Sequence, residues 1–240
     1  MIKTALVTGG THGIGKAIAD SLRQDGYNVS VCARGMYKTD EDFIKCDLST
    51  DEGINYLISQ VKEVDILVCN AGGGGRWGKD NWLETDYNVW QEVYDKNAGY
   101  TIKLINHYLP KMIEKNWGRV VAITSTLGKE SSDNVRPWFQ LAKSAQISLM
   151  KAYSKNKDYV RNGVTFNCVS PGAIMIEDTG WHKFKLEDEA AFKKYLDSLP
   201  MNKLGKPEDV ANVVTFLCSE KSNYINGANI TIDGGQSYSF

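Results

Sequence analysis

Thr4-Ala5-Leu6-Val7-Thr8-Gly9-Gly10-Thr11-His12-Gly13-Ile14-Gly15 decides how the rest of the chain is read. Residues 2–7 are a short apolar run of β-formers that ends in a turn carrying Gly9, Gly13 and Gly15. Beyond the turn, Ala17, Ile18, Ala19 and Leu22 fall at helical spacing, and Gly26 stops the helix. Residues 29–33 are a second strand pattern ending at Arg34. Strand, glycine turn, helix, strand is a βαβ unit, which demands a parallel pair joined by a right-handed crossover. Each glycine has a physical task there: a tight turn, close approach of backbone to a phosphate, and close helix-to-strand packing. The helix start adds free N–H groups and a positive dipole end, a natural seat for an anion.

The same alternation continues outward. Residues 43–47 and 65–69 read as strands three and four. Between them Ser49-Thr50-Asp51-Glu52 reads as a capping box for a helix through Val61. After the loop 70–77 comes a long helical region holding Asn97, Leu104, Ile105 and Leu109. Residues 119–124 are a fifth strand, and Trp138-Phe139-Gln140-Leu141-Ala142-Lys143 opens a helix expected to run to about Tyr159. Residues 164–169 and 228–232 supply strands six and seven. Between them, Pro207-Glu208-Asp209 puts proline and acids in a first helical turn. The expected fold is a single α/β domain over 1–240, a doubly wound sheet of seven strands with helices on both faces. The polar, aromatic, helix-prone segment 173–200 is the expected lid.

Composition narrows the partners. Lys plus Arg 28 against Asp plus Glu 29 gives a net charge of -1, which argues against a nucleic-acid or membrane-surface partner. Five cysteines, an odd count without a Cys-x-x-Cys pair, read as buried thiols in a reducing compartment, with no disulfide and no metal site. No window is apolar for the length of a membrane span, and the N-terminus goes straight into a strand pattern, so the expected location is the cytoplasm.

The end of the second strand chooses between dinucleotides. An acid there would bind a ribose 2′-hydroxyl, whereas a cation suits a 2′-phosphate. Here Ala33-Arg34 brings a guanidinium fork and no acid, and His12 can add a donor. NADP(H) is therefore the preferred cofactor, with NAD(H) left open. Asp47 can accept from an adenine amino group or simply begin a turn.

Thr8-Gly9-x-x-x-Gly13-Ile14-Gly15, Asp47, Asn70-Ala71-Gly72, Asn97, Ser125-Thr126, Lys143 and Pro171-Gly172, together with Gly205 to Ala211 and Ile232-Asp233-Gly234-Gly235, resemble the short-chain dehydrogenase/reductase family. The pattern is most similar to the group that includes 3-oxoacyl-carrier-protein reductases. The resemblance covers essentially the whole chain and implies a single-domain Rossmann fold with a seven-stranded parallel sheet. It implies cofactor contacts from Gly9, Thr11, His12, Gly13, Ile14, Gly15, Arg34, Asp47, Leu48, Asn70, Ala71, Gly72, Lys143, Pro171, Gly172 and Ile174. It also implies a homotetramer or homodimer built on the mid-chain helices.

Carbonyl reduction needs a hydride from nicotinamide and a proton for the developing alkoxide. In the family that the chain resembles, a tyrosine one helical turn before a lysine supplies the proton. The lysine holds the nicotinamide ribose, a Ser or Thr hydroxyl binds the substrate oxygen, and an Asn orients a water to the lysine. Lys143, Asn97 and Thr126, with Ser125 beside it, match these places, but four residues before Lys143 stands Phe139. Four readings stay open. The proton comes from water through Lys143 and Asn97, or from a lid group such as His182. Phe139 is an engineered Tyr→Phe change. The chain is an attenuated NADP(H)-binding regulator or scaffold. Or the substrate itself brings the acid. Another departure follows Pro171-Gly172, where a threonine is usual: Ile176 stands there, and the nearest hydroxyl is Thr179.

The expected pocket rim is 73–77, 129–138 and 174–182, with Trp77, Trp138, Trp181, Arg76, Lys129, Arg136 and Lys183 in or beside it. Aromatic faces with cations suit a sugar, an aromatic ring or an anionic group, and equally suit a pocket wall with solvated charges. The expected activity is thus NADP(H)-dependent interconversion of a carbonyl and an alcohol on a small substrate.

Overall fold

A computed structural model describes residues 2–35, 43–74, 77–131 and 136–239. Seven strands, β1 (Thr4–Thr8), β2 (Asn28–Ala33), β3 (Phe43–Lys45), β4 (Ile66–Cys69), β5 (Gly118–Ile123), β6 (Val164–Pro171) and β7 (Asn229–Ile232), form one sheet in the order β3-β2-β1-β4-β5-β6-β7. Every pairing is parallel, with Ala5 opposite both Val29 and Ile66. The expected doubly wound, single-domain fold is therefore the observed one.

Strand periodicity explains the two layers. Ala5 and Val7, Ile66 and Val68, and Val121 and Ile123 face α1 (Gly13–Gln24) and α9 (Pro207–Cys218), through Ile18, Leu22, Val210, Val214 and Leu217. Their neighbours Leu6, Leu67, Cys69, Val120 and Ala122 face α2 (Asp51–Gln60), α4 (Tyr100–Glu114) and α5 (Pro137–Tyr153), through Leu57, Leu104, Tyr108 and Met150. Successive side chains point to opposite faces, so a strand covered on both sides reads as an unbroken apolar run. All five cysteines are buried and free, as expected for small apolar fillers.

Three local expectations are corrected. The helix opened by residue 138 starts one residue earlier, at Pro137, and ends at Tyr153 rather than near Tyr159. Asn156 then accepts from the Asp158 N–H at 2.9 Å and begins a separate short helix, α6 (Lys157–Val160). The capping box before α2 is a simple cap: Thr50 Oγ1 accepts from the Gly53 N–H at 3.1 Å, while Ser49 turns to Asp47. The long helical region around Asn97 is not continuous. α3 (Tyr87–Tyr94) is joined to α4 by a π-helical turn over Asp95–Gly99. Such turns are frequent at functional sites, because one inserted residue re-aims the side chains around it.

The segment expected to be the lid folds as α7 (Gly180–Glu187) and α8 (Glu189–Ser198). With Leu204 beyond it, the segment forms a separate apolar cluster of Ala173 and Phe192, packed by Trp181, Phe184 and Tyr195. Trp181 stacks on Tyr195 with centroids 4.7 Å apart.

Candidate active site

The strand order runs one way from β1 through β2 to β3 and the other way from β4 to β7. A ligand crevice belongs at such a switch point, beyond the carboxyl ends of the strands. A cavity of about 450 Å³ lies there, lined by residues that follow β1, β2, β3 and β4. Gly9, Thr11, His12, Arg34, Asp47, Leu48, Asn70, Ala71 and Gly72 all line it.

Its walls explain themselves from the residues up. A Cβ on Gly15 would fall 2.2 Å from the Gly9 carbonyl oxygen and 2.4 Å from Asn70 Nδ2, so only glycine lets α1 start this close to the β4 loop. Thr8 Oγ1 accepts from the Asn70 and Ala71 N–H groups, each at 2.9 Å, and fixes that loop. Asn70 Nδ2 donates to the Thr8 and Gly9 carbonyls at 2.9 and 3.2 Å. The Asn70 amide is thus committed to holding the glycine turn. Asp47 accepts from the Ser49 N–H at 3.0 Å and its hydroxyl at 2.7 Å. Burial pushes the Asp47 carboxyl up, but those bonds and the charges of Arg34 and Lys96 outweigh it and hold it below the usual range.

Lys96 escaped the sequence reading. It is 9% exposed, lines the cavity and places its Nζ 4.0 Å from the centroid of Trp77. Burial, then the nearby Arg34 charge, lowers its pKa. The π turn that aims Lys96 leaves no mark in an apolar-periodicity reading.

The other end of the site gathers on the π turn and α5. Asn97 is fully buried; its Nδ2 donates to the Val93 and Gly73 carbonyls at 2.7 and 2.9 Å, and its Oδ1 accepts from the Gly73 N–H. Lys143 is 4% exposed and donates to the Ile123 carbonyl at 3.0 Å and to Gln146 Oε1 at 2.9 Å. Burial lowers its pKa to about 8. A Cβ on Gly72 would fall 2.5 Å from Asn97 Oδ1 and 3.2 Å from Lys143 Nζ, so these two groups close over the same point of the cavity wall. Phe139 lies one turn earlier on α5, with its ring centroid 5.8 Å from Lys143 Nζ. Thr126 is buried in a short 3₁₀ turn (Thr126–Gly128) whose Gly128 carbonyl accepts from Ser144 on α5 at 2.7 Å. Ser125 caps that turn, accepting from the Leu127 N–H at 3.2 Å.

Several expected rim residues stand elsewhere. Trp138 is not at the rim: it is fully buried, sits edge-on to Trp90 and donates its indole N–H to the Gly74 carbonyl at 3.3 Å. An aromatic at the start of an amphipathic helix reads alike for rim and core until the neighbouring helix is placed. Arg136 pairs with Asp80, and Lys129 donates to Thr231 at 3.3 Å. Arg76 and residues 132–135 lie outside the described residues. Thr179 spends its hydroxyl on the Ile176 carbonyl at 2.7 Å, and the Ile176 side chain covers Gly13. Pro171 ends β6, the Gly172 N–H donates to the Ile232 carbonyl at 3.0 Å, and the Ile174 side chain is buried in the sheet core. Ile174 offers the cavity no side chain. His182 accepts from the Asp178 N–H at 3.1 Å on the first turn of α7.

Comparison with known proteins gives a consistent result. A family model described as Enoyl-(Acyl carrier protein) reductase matches residues 9–237. The chain is similar to Dehydrogenase/reductase SDR family member 4 of Mus musculus, at 31% identity over 97% of this chain and 86% of that protein. It is 32% identical to the 3-oxoacyl-acyl-carrier-protein reductase FabG of Aquifex aeolicus, covering 97% of this chain and 96% of the relative. Among solved structures, a ligand-free aldohexose dehydrogenase of Thermoplasma acidophilum matches with a TM-score of 0.86 at 26% identity, over 100% of this chain and 95% of the other. A 3-oxoacyl (acyl-carrier-protein) reductase from Agrobacterium tumefaciens with NADP bound matches with a TM-score of 0.85 at 26% identity, over 97% and 93%.

Proposed function

The chain belongs to the short-chain dehydrogenase/reductase family of oxidoreductases, and on that premise we propose that it interconverts a carbonyl and an alcohol on a small substrate with NADP(H). In this reading Phe139 stands at the place of the family's tyrosine. The observation that carries the reading is the joining of two ends on one cavity wall. Arg34 and Lys96 line the cavity together with the glycine turn and Gly72, and a Cβ on Gly72 would meet Asn97 and Lys143.

A nicotinamide cofactor, when bound, supplies or accepts the hydride. The cradle fits such a group: a glycine turn with no room for side chains, an α1 N-terminus, and cations at the mouth. Arg34 would bind a 2′-phosphate through its planar fork, with Lys96 as a second charge from the opposite wall. Gly9, Thr11 and His12 would face the phosphates, and Asp47 the adenine. Lys143 would hold the ribose hydroxyls and set a positive charge near the developing oxyanion. Ser125 or Thr126 would bind that oxygen. Residues 173–200 would cover the substrate, and a second copy of the chain would pack on the mid-chain helices.

Titration with NADPH and NADH, for this chain and for Arg34→Ala, tests the cofactor assignment; equal losses for both dinucleotides would overturn it. NADPH oxidation with a panel of ketones and aldehydes tests the chemistry. Tight NADPH binding without oxidation, by this chain or by Phe139→Tyr, would leave a regulatory NADP(H) binder as the function.

A further inference from the structure

Gln146 is fully buried on α5, one turn beyond Lys143 and on the same face. Its Oε1 accepts from Lys143 Nζ at 2.9 Å. Its Nε2 donates to the Asn97 carbonyl at 2.9 Å and to Thr101 Oγ1 at 3.2 Å. Thr101 Oγ1 in turn donates to the same Asn97 carbonyl at 2.9 Å. The amide orientation is forced from both sides. An ammonium only donates, so it must meet the amide oxygen, and a carbonyl only accepts, so it must meet the amide nitrogen.

We propose that Gln146 is a positioning residue that pins the Lys143 ammonium beside the cofactor cavity and closes the route by which a proton would pass between that lysine and the Asn97 carbonyl. This rests on the reading of the cavity as a nicotinamide site. A water or hydroxyl can pass a proton, because one oxygen both donates and accepts. A carboxamide splits these roles between two atoms and holds its N–H protons too firmly to exchange them in a relay. The Asn97 carbonyl has two lone pairs and already accepts two hydrogen bonds, from Gln146 and Thr101. Two of the three Lys143 donors are spent on Ile123 and Gln146. One donor remains for a ribose hydroxyl or a substrate.

The surroundings of Lys143 fit a fixed charge. Across α5 lie the Cys69 thiol on β4 and the Cys168 thiol on β6, both pushed up to about 12 by burial and so uncharged. Phe139 presents a ring. Among the described residues Lys143 Nζ bonds to a carbonyl and an amide oxygen and to no carboxylate. The first of the four readings of Phe139, a proton delivered through Lys143 and Asn97, is therefore the one that Gln146 blocks. The proton for an alkoxide would come from a lid group such as His182 or from an acid that the substrate carries.

Lysine-selective ¹³C/¹⁵N NMR of the full chain, with Lys143→Met for assignment, reads the ammonium directly. Gln146→Leu removes the acceptor and should lower the Lys143 titration midpoint by about one unit or more, since only the charged form gains strongly from that hydrogen bond. Gln146→Glu replaces the amide oxygen by a carboxylate and should raise it, and this second variant serves if Gln146→Leu does not fold. NADPH affinity, measured alongside by fluorescence, should fall several-fold in Gln146→Leu. A midpoint unchanged in both folded variants while NADPH still binds would overturn the assignment. Failure of the unaltered chain to bind NADPH would instead overturn the functional reading and leave the lysine measurement to stand on its own.

Discussion

The two ends of the cavity hold charge in opposite ways. At the end proposed for the adenosine, Arg34 is exposed on the loop after β2, Asp47 follows β3, and Lys96, on the π turn between α3 and α4, leans on Trp77. At the end proposed for the reaction, Lys143 is inside a helix, buried, and bonded to fixed acceptors, with Asn97 and Gln146 fully satisfied around it. Loop charges can adapt to an incoming phosphate, and their worth is limited by solvent screening. A buried ammonium held by a carbonyl and an amide keeps its place before any ligand arrives, which is what electrostatic catalysis requires. On the proposed function, binding and chemistry are separable, and variants at the two ends should behave differently.

The largest effect is expected at Phe139. General acid catalysis is typically worth about 10²–10⁴-fold, so Phe139→Tyr should raise kcat for simple ketones by roughly that factor with little change in NADPH affinity. An unchanged kcat would mean that the chemistry does not use an acid at this place. Next comes Lys143→Met, which removes a preorganised charge. By analogy with oxyanion donors, turnover should fall by about 10²–10³-fold, measured at saturating NADPH. Arg34→Ala belongs to the other end and should weaken NADPH by about 10–100-fold while leaving kcat near its starting value, the worth of one or two charge-assisted bonds. If it lowers kcat as strongly as affinity, the separation of the two ends fails.

A pH series sharpens the same contrast. The folded pKa of Lys143 is lowered to about 8, so its charge is present below that value and is lost above it. Turnover at saturating NADPH should therefore be flat below about pH 7 and fall by roughly tenfold between pH 7 and pH 9. Lys143→Met should abolish the fall. The smallest effect is expected at Asn70, whose amide supports the glycine turn. Asn70→Ala should cost about 1–3 kcal/mol in urea unfolding, through the Thr8 and Gly9 carbonyls it leaves unpaired.

The sheet was legible because its signals are local and repeated. Apolar runs broken by a glycine turn specify parallel strands whatever the substrate, and the residues after β1, β2, β3 and β4 come together by topology alone. Arg34, Asn70 and Lys143 needed only their positions in that plan. Lys96 did not fit it, because a π turn changes the hydrogen-bond register without changing the apolar period. The end of α5 was misjudged for a related reason: Tyr153 and Tyr159 both pack on Phe166, so apolar content continues across a break that only the backbone shows. Trp138 could be assigned to rim or core only once Trp90 was in place. Gln146 was readable in principle, three residues from Lys143 on one helix face. Its meaning depends on the Asn97 carbonyl, which is distant in sequence.

The most direct test of the chain as an NADP(H) oxidoreductase is to follow the hydride. NADPH deuterated at one face of the nicotinamide C4 would be incubated with the protein and a panel of ketones and aldehydes, and the alcohols analysed by mass spectrometry. Deuterium on the carbinol carbon from one C4 face only, slowly with this chain and faster with Phe139→Tyr, is the expected result. Saturable NADPH binding with no deuterium leaving the cofactor in either protein would contradict it.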